Sequence, residues 1–326
     1  MYRKPSMKCS PQIAEDMNIF MQNANLSKLY LFGGAVLDPL LNENAKINDY
    51  DVCVKDEEDF YTGINALREK GYNVADVVKT HNIYVVIKDP NGMQFDFSCM
   101  DPEDNGILSL EKIYAEFPAN KIIDKYDSIG ACRRQEIRLA SNPKKEGAYN
   151  VLRRFLAAAQ KYHFPIHKGS RNQEIIDTMK AEFKTQTVAV KQDKVRCLDR
   201  LIKILAKEKN KEKLLKDFAE QEILKDAFPN FHNLFCEERF RESEPLKQLS
   251  DPGKLLNFII HYHPNGDFRR DELVNSAAIL LYREKARAHP SVIKTVNDSL
   301  NEKTSVARLN REILTPLLFN AQKRGR

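Results

Sequence analysis

Two aspartates that alternate along one predicted strand are the residues best suited to chemistry in this sequence. Asp49 and Asp51 flank Tyr50 at the start of the run 49–54, whose later residues alternate between polar and apolar. Residues two apart on a strand point to the same face, so the two carboxylates lie close together and repel each other. A hard divalent cation that prefers oxygen ligands relieves this repulsion, and magnesium fits best. The pattern therefore predicts a metal site.

A third carboxylate is a candidate for the same site. Asp96 lies between Phe95 and Phe97 in the predicted strand 93–97, so its side chain faces away from the two aromatic rings. If this strand lies beside 49–54, three carboxylates converge. Such a cluster can hold two metal ions, one that activates an attacking hydroxyl and one that holds a triphosphate. Each motif alone has a plainer interpretation, because an isolated Asp-x-Asp is usually a solvated pair at the end of a strand.

A pair of glycines provides a possible phosphate contact. The short apolar strand Leu29–Phe32 ends at Gly33 and Gly34, and a helix is predicted to begin directly after them. Glycines allow the backbone to approach a phosphate closely, and the start of a helix offers free N–H groups and the positive end of the dipole. The order of strand, glycine pair, helix and Asp-x-Asp strand is far more specific than any one of its parts.

The surrounding elements divide the chain by type. The first 130 residues mix strands with helices: a hairpin is predicted at Asn91-Gly92 between the strands 83–87 and 93–97, and a helix at 57–71. Beyond Pro143 the periodicity is helical, over 146–162, 173–184, 194–207, 211–227 and 254–320, with a linker at 240–253. We expect a head at 1–141, a basic helical neck and body at 142–250, and a helical C-terminal region at 251–326.

The charges are distributed unevenly between these regions. Residues 1–120 carry 11 lysines and arginines against 19 acidic residues, a net charge of −8, and residues 142–216 carry 19 against 8, a net charge of +11. An acidic head beside a basic region suits a metal site next to a surface that binds a polyanion, although a lysine-rich solvated helix face would give the same count. The six cysteines lack CxxC spacing, and no apolar run is long enough to span a membrane. These features indicate a cytoplasmic protein without a membrane partner, and they assign no oligomeric state.

The motif at 29–54 resembles the tRNA nucleotidyltransferase and bacterial poly(A) polymerase family of the pol-β superfamily. That family has a strand, a Gly-Gly-x-Val-Arg-Asp-x-Leu-Leu run and an Asp-x-Asp strand, and the matching positions here are Gly33, Gly34, Val36, Asp38, Leu40, Leu41, Asp49 and Asp51. The resemblance implies an α+β fold, with a pol-β-type head (a small mixed sheet with flanking helices) followed by an all-helical neck and body. It also implies that Asp49, Asp51 and Asp96 are the catalytic metal ligands and that Gly33 and Gly34 hold phosphate.

Weaker similarity continues over 122–164 and, loosely, to about residue 232. The run 146–155 resembles the family's helix with Glu-Asp-x-x-Arg-x-Leu-Arg, in which Arg153 matches the second arginine. We expect Arg153 to contact phosphate and Asn150, which replaces the first arginine, to lie against the nucleotide. Leu37 stands where the family has the arginine of Arg-Asp, and Gly147 where it has the base-reading aspartate. Base selection is therefore expected to differ from the standard CCA-adding kind.

These expectations favour a metal-dependent nucleotidyltransferase. It would transfer a nucleoside monophosphate from an NTP to a hydroxyl with release of pyrophosphate, using Mg²⁺ or Mn²⁺, and a tRNA-like RNA 3′ end is the first candidate acceptor. Two alternatives stay open: an enzyme of this type that modifies a protein, and an inactive protein of this fold that binds RNA or a protein. The carboxylates favour the enzyme, because acid clusters that demand a metal mark functional sites more often than not.

Overall fold

The computed structural model describes residues 7–79, 83–140, 147–185 and 191–262. Contacts divide the chain into two compact units, Met1–Asn142 and Pro143–Arg326. The head boundary expected at residue 141 lies one residue from this division. The predicted region 251–326 falls in the second unit, and its residues 263–326 lie outside the described part of the chain.

The first unit combines helices with one mixed sheet. Its helices are α1 (Pro11–Asn23), α2 (Gly34–Leu41), α3 (Glu57–Glu69) and α4 (Ser128–Arg133). Its strands are β1 (Leu29–Phe32), β2 (Asp49–Val54), β3 (Asn73–Val74), β4 (Val78–Lys79), β5 (Ile83–Lys88), β6 (Gln94–Cys99), β7 (Tyr114–Phe117) and β8 (Lys121–Ile123). The described strands form one sheet in the order β3-β5-β6-β2-β1-β7-β8, with β4 also paired to β5.

The central strands of this sheet have different directions. Strand β2 pairs in parallel with β6 and antiparallel with β1, and β5 and β6 form an antiparallel hairpin. The hairpin turns at the predicted Asn91-Gly92, where the Asp89 side chain accepts hydrogen bonds from the backbone N–H of Asn91 (2.9 Å) and Met93 (2.8 Å). Because Asp89 satisfies these donors, the turn fixes the register of β6 against β5.

An aromatic core covers one face of the sheet. The ring of Phe20 on α1 stacks on Phe95 of β6 at 4.4 Å, and Phe60 on α3 packs against Phe97 of β6 at 4.9 Å. Tyr50 of β2 completes this layer, with a ring distance of 5.3 Å to Phe95. Side chains alternate along each strand, so burial of Tyr50, Phe95 and Phe97 turns the intervening residues of β2 and β6 towards the opposite face.

The second unit is helical in its described part. The helices are α5 (Ala148–Lys161), α6 (Gln173–Thr185), α7 (Lys191–Lys207), α8 (Lys211–Glu220), α9 (Pro229–Cys236), α10 (Glu238–Arg241), α11 (Glu244–Gln248) and α12 (Pro252–Tyr262). Helices α5 and α7 pack on each other, and α12 packs on α7. The Tyr149 hydroxyl on α5 donates to the Ala227 carbonyl at 3.0 Å, which ties α5 to the turn that precedes α9.

Two boundaries predicted from the sequence are wrong. The helix expected over 211–227 ends at Glu220, because Glu222 adopts a left-handed backbone with φ +52° that ends helical hydrogen bonding. The stretch 240–253, interpreted as a linker, instead forms α10, α11 and the start of α12. Phe240 and Leu246 in this stretch are fully buried, which anchors it to the unit. In the described part of the chain, no helix is long and apolar enough to cross a membrane.

Candidate active site

The parallel pairing of β2 and β6 aligns the predicted carboxylates. Asp51 is the register partner of Asp96, and Asp49 is the partner of Gln94. Paired residues on adjacent parallel strands share a face, and residues two apart on one strand do so as well. Asp49, Asp51 and Asp96 therefore belong to one face of the sheet, opposite the aromatic core. Convergence of the three carboxylates was predicted only if β6 lies beside β2, and the sheet provides this adjacency.

A glutamine on the same face holds the third carboxylate. The Gln94 Nε2 donates a hydrogen bond to Asp96 Oδ1 at 2.8 Å. Gln94 lies two residues before Asp96 on β6 and directly beside Asp49 on β2. Its hydrogen bond therefore fixes the orientation of the Asp96 carboxylate. The sequence analysis did not identify Gln94. Its position two residues before Asp96 on the same strand is the signal that could have done so.

Gly33 lies directly against the Asp51 carboxylate. Its backbone has φ +73° and ψ −148°, a conformation that only glycine adopts readily. A Cβ placed on Gly33 would lie 2.6 Å from Asp51 Oδ2. Both the backbone conformation and the lack of space require glycine here. The strand-to-helix turn therefore brings bare backbone next to one of the candidate catalytic side chains.

The start of α2 is left open by the same turn. Gly33 is the N-cap residue of α2 and offers no capping side chain, and the first turn contains no acidic residue. The first N–H groups of a helix lack intrahelical acceptors, so this end can accept an anionic group beside Asp51. Gly34 is the first helical residue. Leu37, at the position where the family has arginine, is 1% exposed and packs in the core of the head.

The donor atoms on this face suit a hard divalent cation. Asp49 is exposed and Asp51 and Asp96 are half-buried, so all three offer carboxylate oxygens at an accessible surface. Within the described residues, no three histidine, cysteine, aspartate or glutamate side chains lie close enough to hold a metal ion. Carboxylate oxygens are the donor type that magnesium and manganese take, so the chemistry of the donors fits either ion. The three carboxylates share one face of the sheet but do not form an enclosed metal site.

The two nucleotide-contact candidates of the second unit are hydrogen-bonded to each other. The Arg153 Nη2 donates to Asn150 Oδ1 at 2.7 Å, one turn along α5. Gly147, with φ +78°, caps this helix. Asn150 therefore orients the guanidinium of Arg153. The sequence analysis instead expected each side chain to contact the nucleotide separately.

Arg153 belongs to a cluster of arginines that sequence reasoning missed. Burial lowers the pKa of Arg153, and the neighbouring charges of Arg154 on α5 and of Arg200 and Arg196 on α7 lower it further. Like charges at this density repel each other, so an anion that binds here gains energy by relieving the repulsion. The spacing of Arg196 and Arg200, four residues apart on one helix, is the signal that could have revealed this surface.

Comparisons with known proteins were made for sequence and for structure. No protein-family model matches the sequence, and no curated protein matches it. Solved structures do match. A CCA-adding enzyme in apo form I is 18% identical, with 93% of this chain and 80% of that chain covered and a TM-score of 0.54.

Two liganded structures match over similar lengths. A CCA-adding enzyme with CTP is 16% identical, with 93% of this chain and 81% of that chain covered and a TM-score of 0.54. The Thermotoga maritima CCA-adding enzyme complexed with tRNA(CCA) is 18% identical, with 92% and 77% covered and a TM-score of 0.50. The resemblance and the fold class predicted from the sequence are confirmed: the chain has the fold of the CCA-adding enzymes, with low sequence identity to them.

Proposed function

We propose that this chain is a metal-dependent nucleotidyltransferase that transfers a nucleoside monophosphate from an NTP to the 3′ end of a tRNA-like RNA. The observation that carries the proposal is the register pairing of Asp51 with Asp96, with Asp49 on the same face and Gly33 against Asp51. The fold supports it, because the similar CCA-adding enzymes include one solved with CTP and one with tRNA(CCA).

In the proposed reaction the acceptor hydroxyl oxygen attacks the α-phosphorus of the NTP. A new P–O bond forms to the acceptor, the bond to the β-phosphate oxygen breaks, and pyrophosphate leaves. The hydroxyl proton passes to a carboxylate, for which Asp96 is the candidate because Gln94 fixes its orientation. The backbone at Gly33 and Gly34 and the open start of α2 would bind phosphate oxygens.

Asp49, Asp51 and Asp96 would hold Mg²⁺, or Mn²⁺ in its place. A divalent cation bound there neutralises phosphate charge and lowers the pKa of the acceptor hydroxyl. The carboxylates themselves supply oxygen ligands on one face, which is the donor type that both ions take. Removal of one carboxylate should therefore weaken metal binding and the reaction together.

We propose that Asn150 and Arg153 act on the nucleotide or on the RNA as a unit. Their hydrogen bond presents the guanidinium of Arg153 in one orientation, and the adjacent arginines make the same surface attractive to phosphate. An amide at position 150 cannot present the fork of donors that an arginine presents. Base selection would therefore differ from that of an enzyme with arginine at this position.

We propose a cytoplasmic location on the basis of thiol chemistry. All six cysteines are free, and four of them are buried. Burial raises the pKa of the Cys9 thiol to about 11, which keeps it protonated and unreactive. These thiols suit a reducing compartment, and we place the protein in the cytoplasm on this ground.

The proposed function is tested by offering the purified protein all four α-labelled NTPs with magnesium and either total tRNA or total cellular RNA. The comparison includes the Asp49→Ala/Asp51→Ala double variant and Asp76→Ala, which removes an exposed carboxylate elsewhere in the head. Label should join RNA with the wild type and Asp76→Ala and be absent with the double variant.

Other outcomes identify the alternatives. Label that joins protein and is lost in the double variant would indicate a protein-modifying enzyme. RNA binding that survives the double variant, with no label transferred from any NTP, would indicate an inactive protein of this fold. Either result would contradict the proposed RNA-directed transfer.

A further inference from the structure

A cavity lies wholly within the helical unit. It has a volume of about 610 Å³ and is bounded by the C-terminal ends of α5 and α7, the turn 163–167 and one side of α8. This volume falls in the range of roughly 300–1,000 Å³ that small-molecule sites occupy. Asn150 and Arg153 are at the other end of α5 and do not line it. The cavity is therefore separate from the residues assigned above.

The floor of the cavity is apolar and partly aromatic. Leu156 and Phe164 contribute from α5 and the turn after it, Ile204 from α7 and Phe218 from α8. All four are at most 5% exposed, so they form a fixed wall rather than a mobile surface. A flat apolar group is the kind of occupant that such a wall accommodates.

One carboxylate interrupts this apolar lining. Asp217 is half-buried, and burial raises its pKa, with the opposing charges of Lys213, His167 and Lys216 too weak to reverse the shift. In the part of the chain that the structure describes, no side chain or backbone N–H donates a hydrogen bond to this carboxylate. A half-buried carboxylate without a protein donor is only partly hydrated, which costs free energy. A ligand that brings an N–H group to Asp217 would therefore gain from satisfying it.

The mouth of the cavity is basic. Lys207, Lys209, Lys213 and His167 are exposed around it. Glu208 is the acidic residue at the mouth, and its carboxylate already accepts a hydrogen bond from the Asn210 backbone N–H at 2.8 Å. The positive end of the α8 dipole adds to the potential here, because α8 begins at Lys211. The mouth therefore suits an anionic group.

We propose that this cavity binds one nucleoside phosphate unit whose base carries an exocyclic amine. The base would lie on the apolar floor and its amine would donate to Asp217, with the phosphate at the lysines of the mouth. A fatty acid would satisfy the floor and the mouth but leave Asp217 without a donor. Inorganic phosphate would satisfy the mouth alone. The unit can come from a free mononucleotide or from an unstacked residue of an RNA strand.

This site goes beyond the proposed nucleotidyl transfer and requires none of the head carboxylates. Binding can therefore be measured without magnesium, by titration calorimetry of the full-length protein. The ligands are AMP, purine riboside monophosphate (which lacks the exocyclic amine) and a hexamer of adenylate. Competition between AMP and the hexamer identifies an RNA residue as an occupant, and binding of AMP alone identifies the free nucleotide.

Variants separate the contribution of Asp217 to ligand binding from that of the lysines at the mouth. Asp217→Asn keeps the shape but removes the charge, and should weaken AMP binding by about ten-fold while binding of purine riboside monophosphate changes less than two-fold. Lys207→Ala/Lys209→Ala should weaken both ligands. Lys225→Ala removes an exposed lysine of the same unit that pairs with Glu222 (2.7 Å) and does not line the cavity, so it is the matched control and should change neither.

Three results would overturn the inference. They are no AMP binding at millimolar concentration, an AMP affinity that Asp217→Asn leaves unchanged, and AMP binding that disappears in Asp49→Ala/Asp51→Ala. The last result would place the nucleotide in the head. Thermal melting of each variant confirms that it is folded, and Asp217→Asn is expected to melt no lower than the wild type because the residue it replaces is desolvated.

Discussion

Substitution of Gly33 tests how closely the head backbone must approach Asp51. In Gly33→Ala two costs arise together. The backbone conformation at φ +73° and ψ −148° costs an L-residue about 1–3 kcal/mol. The new Cβ would also lie 2.6 Å from Asp51 Oδ2. Carbon–oxygen contacts of this kind lie at about 3.3–3.6 Å, so the carboxylate must move away by roughly 0.7–1 Å.

A displacement of this size should affect catalysis more than stability. Misplacement of a reacting group by about 1 Å costs on the order of 10²-fold in rate. We therefore expect kcat/KM for nucleotide transfer to fall roughly 10²-fold in Gly33→Ala, with a loss of about 1–3 kcal/mol in the free energy of unfolding. The assays are initial rates of label transfer and urea denaturation of the same preparations.

Gly92→Ala provides a matched control. Gly92 also has a positive φ, of +89°, but a Cβ there would meet nothing within 4 Å. This variant should lose stability for the same backbone reason and keep its transfer rate. If Gly33→Ala and Gly92→Ala lose equal activity, or if Gly33→Ala transfers label at the wild-type rate, the contact with Asp51 is not part of the site and the reasoning is refuted.

Four further predictions follow from other residues. Asp96→Asn should lower the rate of nucleotide transfer by roughly 10³-fold and weaken Mn²⁺ binding measured by electron paramagnetic resonance, since it removes a charged ligand. Gln94→Ala only releases the orientation of that carboxylate, so it should lower the transfer rate less. An equal loss of rate would contradict the positioning role of Gln94. Arg153→Met should weaken binding of NTP or RNA and flatten its salt dependence without lowering Tm, because burial and like charges already disfavour the guanidinium. Phe20→Ala should cost about 3–5 kcal/mol of unfolding free energy, because the ring is fully buried against Phe95; a loss under 1 kcal/mol in urea denaturation would show that this core is misassigned. Finally, the raised pKa of Asp217 means that its contribution to stability is full below the unfolded pKa and is lost as the pH rises through the folded pKa, so Asp217→Asn should raise Tm at pH 7 and have little effect near pH 3.

The sequence was sufficient to predict the strand and the hairpin that carry the candidate carboxylates. Alternation predicted that Asp49 and Asp51 share a face, and the Asn91-Gly92 turn predicted the hairpin that positions Asp96. These are local signals with a period of two or a characteristic turn. That β6 lies parallel beside β2 could not be read from them, because it depends on contacts between residues about 45 positions apart along the chain. The prediction depended on that adjacency, and the fold supplies it.

Other features have no local signature. Arg153 matched a motif, but its cluster with Arg196 and Arg200 forms only when α5 packs on α7. Residues 240–253 contain proline and charge that are typical of a linker, yet burial of Phe240 and Leu246 outweighs that local preference. The desolvation of Asp217 likewise results from packing of α8. In each case tertiary burial, rather than local propensity, determines the role of the residue.

The central claim is that the carboxylates of β2 and β6 transfer a nucleoside monophosphate to RNA. The most direct test is one NTP labelled either at the α- or at the γ-phosphate, incubated with magnesium and tRNA and resolved into RNA, pyrophosphate and free nucleotide. The account predicts that the α-label joins RNA and the γ-label appears in pyrophosphate in equal amounts, and that Asp49→Ala/Asp51→Ala abolishes both while Asp76→Ala changes neither. Label transfer that persists in the double variant, or γ-label released as inorganic phosphate without α-label in RNA, would contradict it.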